Sequence, residues 1–123
     1  MPIPPDDLPG YVINYYGGYM RPEEFQEYQE LTLEYKRLMH ELRSDYGERI
    51  EGGPVRYRHY LTEDAKADPR WQAYMDRRVA FYHRTSDRIL QDHEIFLNRC
   101  PYCNSLARTP TARQCGKCFK RWE

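Results

Sequence analysis

The chain has 123 residues, enough for one compact domain or for a small domain with a metal-held appendage, and its 19 basic and 19 acidic residues cancel. No apolar run approaches the roughly 20 residues of a membrane span, and the opening MPIPPDDLPG has neither the basic nor the apolar region of a secretory signal, so a cytoplasmic chain with reduced thiols and no membrane partner is expected. The neutrality is uneven: from Arg99 onward there are six basic residues and one acid, so the tail carries +5 and residues 1–98 carry −5, which argues against general nucleic-acid affinity for the body.

Four prolines in residues 1–10 (Pro2, Pro4, Pro5, Pro9) predict an extended arm rather than a helix. YVINYY (11–16) reads as a short strand or an aromatic segment lying on the core, broken by Gly17 and Gly18; residues 1–20 together form a Pro/Tyr-rich arm. The helical body, 21–93, opens with a helix over 22–46. Pro22 suits its first turn, Glu23 and Glu24 suit the positive end of its dipole, and Gly47 suits its stop. Apolar and aromatic residues from Phe25 to Tyr46 recur at steps of three and four, which puts them on one face.

GERIEGGPVRYRHYL reads as a loop with a short extended piece at Val55–Tyr60. Thr62 with Glu63 and Asp64 marks a short helical turn. Asp68-Pro69 starts a second long helix, over 69 to about 92, with Asp as N-cap and Pro in the first helical position. Its apolar face reads as Trp71, Met75, Val79, Tyr82, Ser86 and Ile89, flanked by Tyr74 and Leu90. Glu23, Glu27, Glu30, Glu34 and Glu41 follow one face of the first helix, and Arg70, Arg77, Arg84 and Arg88 one face of the second. The stripes fit an antiparallel pair with complementary rims, or a surface for a charged partner. The fold class is therefore mainly α, with two long antiparallel helices; no internal repeat is visible.

Residues 94–123 hold all four cysteines: Cys100, Cys103, Cys115 and Cys118, two Cys-x-x-Cys pairs separated by eleven residues. That spacing matches a site for one Zn2+ held by four thiolates, each pair presenting two sulfurs from a tight turn. NSLARTPTARQ returns the chain as a short β-hairpin, with Ser105–Arg108 up, Thr109-Pro110-Thr111 as turn and Ala112–Gln114 down. Asn104 suits a left-handed backbone after the first pair, and Gly116 relieves a tight backbone in the second. Two disulfides need an oxidising compartment, and a redox pair needs a strand-to-helix setting that neither pair has. Four thiolates leave no open position for water, so the expected metal is structural. Four thiolates and one Zn2+ sum to −2, and the tail's surplus of cations offsets them or serves nucleic-acid binding.

With CPYC and CGKC as its knuckles, the tail resembles a zinc ribbon, a resemblance that covers about 25 residues and implies Phe119 and Trp122 as caps on the cluster. It departs from the ribbon pattern at Phe119, where ribbons often carry Gly. LARTPTARQC after a helical body also resembles the tail of small bacterial proteins with that organisation. Zinc ribbons serve many roles, so the resemblance fixes no activity.

No catalytic motif is present. His40, His59, His83 and His93 are scattered, and His93 adjoins a carboxylate, Glu94. Arg56, Tyr57, Arg58, His59 and Tyr60 form the most suggestive loop, able to grip an anion or a base, or simply to connect elements. The chain is therefore not expected to be an enzyme. Its acidic, Tyr-rich body fits protein–protein binding, most concretely an immunity protein that neutralises a basic bacterial toxin domain. The alternative is nucleic-acid binding through Arg108, Arg113, Lys117, Lys120 and Arg121, with Phe119 or Trp122 stacking on bases.

Overall fold

The structure, a computed structural model, describes residues 7–53 and 56–123, with 48–53 and 56–60 described as backbone alone. Asp7 starts the first helix, α1 (Leu8–Tyr16): its Oδ1 accepts a hydrogen bond from the Gly10 N–H at 3.1 Å, and Pro9 sits in the first turn. The extended arm expected over 1–10 is therefore corrected from Leu8 onward, and YVINYY is helical rather than a strand. The reason is positional, since first-turn N–H groups have no helical acceptor and Pro loses nothing there. The arm's earlier residues, 1–6, lie outside the described residues. Gly17–Tyr19 form a single 3₁₀ turn where the glycines break the segment.

Helix α2 spans Pro22–Tyr46, as the periodicity predicts, and buries Leu31, Leu38 and Leu42. It ends at Gly47, which takes φ 76° while its N–H bonds the Arg43 carbonyl at 2.9 Å. The segment read as a loop is instead an antiparallel hairpin. β1 (Glu48–Gly53) pairs with β2 (Arg56–Leu61) in a register running from Glu48↔Leu61 to Gly53↔Arg56. The side chains of Arg56 to Tyr60, the suggested anion grip, and Val55 lie outside the described residues.

Thr62 caps the short α3 (Glu63–Lys66), accepting from the Ala65 N–H at 3.2 Å. Helix α4 spans Pro69–Asp92, and Asp68 caps it by accepting from the Arg70 N–H at 2.8 Å. Its buried positions are Tyr74, Phe81, Thr85, Ser86 and Ile89. The expected face is rotated: Val79 is 46% exposed while Phe81 is fully buried.

The chain forms two compact units, Pro22–Phe81 on one side and Met1–Arg21 with Tyr82–Glu123 on the other, so α4 contributes its first half to one and its second half to the other. Within Pro22–Phe81, α2 and the first half of α4 run antiparallel. Tyr28 meets Phe81, Tyr35 meets Trp71 and Tyr74, and Glu41 and Asp45 meet Arg70. Partner numbers fall on one helix as they rise on the other. The expected charge rims are engaged there through Arg70–Glu41 and Arg77–Glu34. Arg70 also holds Asp45 at 2.8 Å and Asp68 at 3.0 Å, and the Tyr46 hydroxyl donates to Asp68 at 2.7 Å. In the other unit Arg88, expected on the same stripe, pairs with Asp92 on its own helix and donates to the Tyr19 carbonyl.

The unit made from the two ends of the chain carries the cysteines. Its junction, the segment between α4 and Cys100, is fixed by α1. The Tyr11 and Tyr16 hydroxyls both donate to the Phe96 carbonyl, at 2.9 and 3.2 Å, and the Asn98 N–H donates to the Tyr11 oxygen at 3.3 Å. Tyr19 stacks on His93 with ring centroids 4.0 Å apart. Among the described residues, no helix is long and apolar enough to cross a membrane.

Candidate metal centre

Each cysteine pair closes on itself by the same set of backbone bonds. The Asn104 N–H reaches the Cys100 carbonyl at 2.9 Å, and the Phe119 N–H reaches the Cys115 carbonyl at 3.1 Å. The Cys100 N–H reaches the Ser105 carbonyl at 2.8 Å, and the Cys115 N–H reaches the Lys120 carbonyl at 2.9 Å. The flanks pair as isolated bridges, Arg99↔Leu106 and Gln114↔Arg121. Every one of these contacts repeats after fifteen residues, although only the cysteines are shared between the two stretches. Beyond the repeated Cys-x-x-Cys, this backbone repetition has no counterpart in the sequence. The expected pairing of Ser105–Arg108 with Ala112–Gln114 is not among the described bridges, because each arm is already bonded to the flank of its own knuckle.

The turn between the knuckles is held by Asn98. This buried side chain donates from Nδ2 to the carbonyls of Thr109 and Ala112, both at 2.9 Å, while the Asn98 backbone carbonyl accepts from the Ala107 N–H at 2.7 Å. Sequence reasoning misses Asn98, since nothing about its type or spacing marks it.

Both knuckles require a left-handed residue after their second cysteine: Asn104 has φ 63° and Phe119 has φ 65°. Asn adopts this region readily, whereas Phe is strained there by about 1–2 kcal/mol. Phe119 thus makes the turn that ribbons often assign to Gly. It does not cap the cluster as the resemblance implies, because 69% of it is exposed. Trp122 borders a shallow depression with Arg113, Arg121 and Glu123. Gly116 does not take a left-handed backbone; what it provides is room, since a Cβ there would stand 2.9 Å from Nε of Arg108.

The four sulfurs lie within 4.8 Å of one another, with Cys100 and Cys115 buried and Cys103 and Cys118 half-buried. Across the knuckles, Cys100 and Cys118 Sγ are 3.7 Å apart and Cys103 and Cys115 Sγ are 3.6 Å apart. Four sulfurs at about 2.3 Å from one ion stand about 3.8 Å from each other in a regular tetrahedron. A disulfide needs about 2.05 Å. The separations therefore match the edges of a tetrathiolate site, and the four cysteines are positioned to bind a metal ion.

Backbone N–H groups point at two of the sulfurs. The Tyr102 N–H points to Cys100 Sγ at 3.4 Å, and the N–H groups of Lys117 and Cys118 point to Cys115 Sγ at 3.2 and 3.3 Å. The Ser105 hydroxyl and N–H bring Cys103 down to about 6. Burial opposes ionisation of Cys115, but the N–H groups of Cys118 and Lys117 outweigh it and lower its thiol. The Lys120 N–H favours the Cys118 thiolate, yet burial and the adjoining sulfurs outweigh it and push this thiol up to about 11. Four sulfurs so close cannot all ionise without a cation among them, and an ion at the centre removes that conflict.

Among the described residues, no histidine joins the site, and the side chain of His59 lies outside them. His40 and His83 are exposed on their helices, and His93 is occupied by the Tyr19 ring. Asp7 caps α1, and Glu23 and Glu24 sit in the first turn of α2. No family model, curated protein or solved structure gives a significant match to this chain.

Proposed function

We propose that the chain is a binding protein whose tail is a zinc ribbon stapled by one structural Zn2+ on Cys100, Cys103, Cys115 and Cys118. The observation that carries this reading is the cluster of four sulfurs within 4.8 Å of one another, whose separations of 3.6 and 3.7 Å across the knuckles suit a closed tetrathiolate site with no position left for water or substrate. The residues suit the ion in charge as well as in size, since the Ser105 hydroxyl and N–H favour thiolate at Cys103, and the N–H groups of Cys118 and Lys117 favour it at Cys115. When bound, the metal supplies folding free energy to a tail too short to bury a core of its own.

The acting surface is the helical unit, and its partner is a protein. Leu33 is 65% exposed on α2 beside a shallow depression lined by Phe25, Tyr28, Gln29, Thr32 and Leu33. Aromatic side chains of this kind dominate contact energy, and an acidic body steers a basic partner. In its most concrete form the chain is an immunity protein that neutralises a bacterial toxin domain. The zinc-loaded full chain used as bait should capture a basic protein and suppress its toxicity. Leu33→Asp should abolish both effects while leaving the metal content unchanged. Capture that survives Leu33→Asp, or capture without loss of toxicity, contradicts the reading.

A second reading, nucleic-acid binding by the tail, is favoured by one observation. Arg70 and Arg77 in the helical unit are held by carboxylates, whereas Arg108, Arg113, Lys117, Lys120 and Arg121 have no carboxylate partner among the described residues.

A further inference from the structure

The zinc ribbon sets a large aromatic side chain in a place where backbone and burial both work against it. Phe119 holds φ 65°, a region that favours Gly and Asn, and its ring is 69% exposed, so no packing offsets the strain. The equivalent position in the first knuckle carries Asn104, at φ 63°, which shows that the fold asks only for the backbone conformation. Tyr102, at the tip of the first knuckle, is 58% exposed. Lys120, the residue after Phe119, reaches over the Tyr102 ring with Nζ 5.0 Å from its centroid. Two exposed rings and a cation are thereby gathered on neighbouring parts of one small metal-held scaffold.

The charge around them has no internal sink. The cations of the ribbon do not serve the thiol cluster directly, because its sulfurs are hydrogen-bonded to backbone N–H groups and to the Ser105 hydroxyl. A loaded cluster of −2 would still leave the tail at about +3. Cations without a carboxylate partner among the described residues match a polyanion, and exposed flat rings match flat ligands.

From this we infer that the knuckle tips bind single-stranded nucleic acid. Phe119 and Tyr102 stack on unpaired bases, and Lys117, Lys120, Arg113 and Arg121 hold the phosphates. This deepens the second reading of the tail and rests on it. A duplex hides its base faces, so the rings select single strands. Stacking is tolerant of sequence, so little base preference is expected beyond stacking strength. An acidic polypeptide would satisfy the cations but leaves no role for a strained, exposed Phe119.

The test is fluorescence anisotropy of the zinc-loaded full chain with a labelled oligouridylate, its duplex with oligoadenylate, and polyglutamate, each across a salt series. Single strands should bind more tightly than duplex and polyglutamate. Phe119→Gly should weaken single-strand binding about tenfold. Its melting temperature and metal content should be no lower than wild type, with Phe119→Asn behaving alike because it keeps the backbone. Lys117→Gln should reduce the salt slope by about 0.7. Absence of any salt-dependent binding overturns the nucleic-acid reading as a whole. Salt-dependent binding that is equal for duplex, or unchanged in Phe119→Gly and Phe119→Asn, leaves that reading standing and overturns base stacking. Polyglutamate binding as tight as oligouridylate overturns the choice of partner.

Discussion

Asn98 shows how much of the tail's order rests on a single side chain. One amide group bonds the two carbonyls of the inter-knuckle turn at 2.9 Å each. Asn98→Ala removes both bonds and leaves two part-buried acceptors behind. A loss of about 1–3 kcal/mol is expected in chemical denaturation of the zinc-loaded chain. A loss below about 0.5 kcal/mol would mean that the turn holds itself. Asp68 plays a comparable part in the helical unit. The Arg70 guanidinium, then the Tyr46 hydroxyl and the Arg70 N–H, hold its carboxyl well below the usual carboxylate range. A carboxylate depressed on folding contributes stability that is complete above its unfolded value of about 3.9 and is lost as pH falls through the folded value. Asp68→Asn should therefore melt below wild type at neutral pH, with a gap constant above about pH 5 that narrows below about pH 4. Melting curves across a pH series check this, and a gap that stays unchanged into strong acid contradicts it.

Among the elements, those with strong local signals were legible from the residues. The step of three and four in α2, with Pro22 at its start and Gly47 at its end, places the helix correctly. Asp68-Pro69 does the same for α4. Four cysteines at ribbon spacing bring their sulfurs together as expected. What was hidden depends on context. Pro9 suggests an arm, yet the first turn of a helix tolerates it. β1 contains Gly52 and Gly53 and lacks apolar alternation, so its pairing with β2 comes from partnership rather than pattern. The expected face of α4 holds Ser86 and Ile89, both buried, but follows the stripe through Val79 and so misses Phe81 and the polar Thr85, both fully buried. The rotated face predicts a contrast between neighbours. Phe81→Ala should lose about 3–5 kcal/mol, as for a buried aromatic. Val79→Ala, at an exposed position, should change stability by no more than about 0.5 kcal/mol. Equal losses in urea denaturation would restore the original face.

For the whole molecule, a formal charge of zero conceals a division of labour. In Pro22–Phe81 the opposite charges engage one another between α2 and α4, at about 0–1 kcal/mol for each exposed pair, so they orient more than they stabilise. In the other unit, five tail cations lack such partners among the described residues, and the thiol cluster holds them on a scaffold of about twenty residues. Everything proposed for the tail therefore depends on the ion. The most direct measurement is metal content by native mass spectrometry, followed by a two-dimensional amide NMR spectrum before and after a strong chelator. One zinc per chain is expected. Chelation should collapse the dispersed signals of residues 98–122 while those of 22–81 keep their positions. A chain that carries no zinc, or a tail whose signals stay dispersed once the metal is gone, would contradict the structural staple.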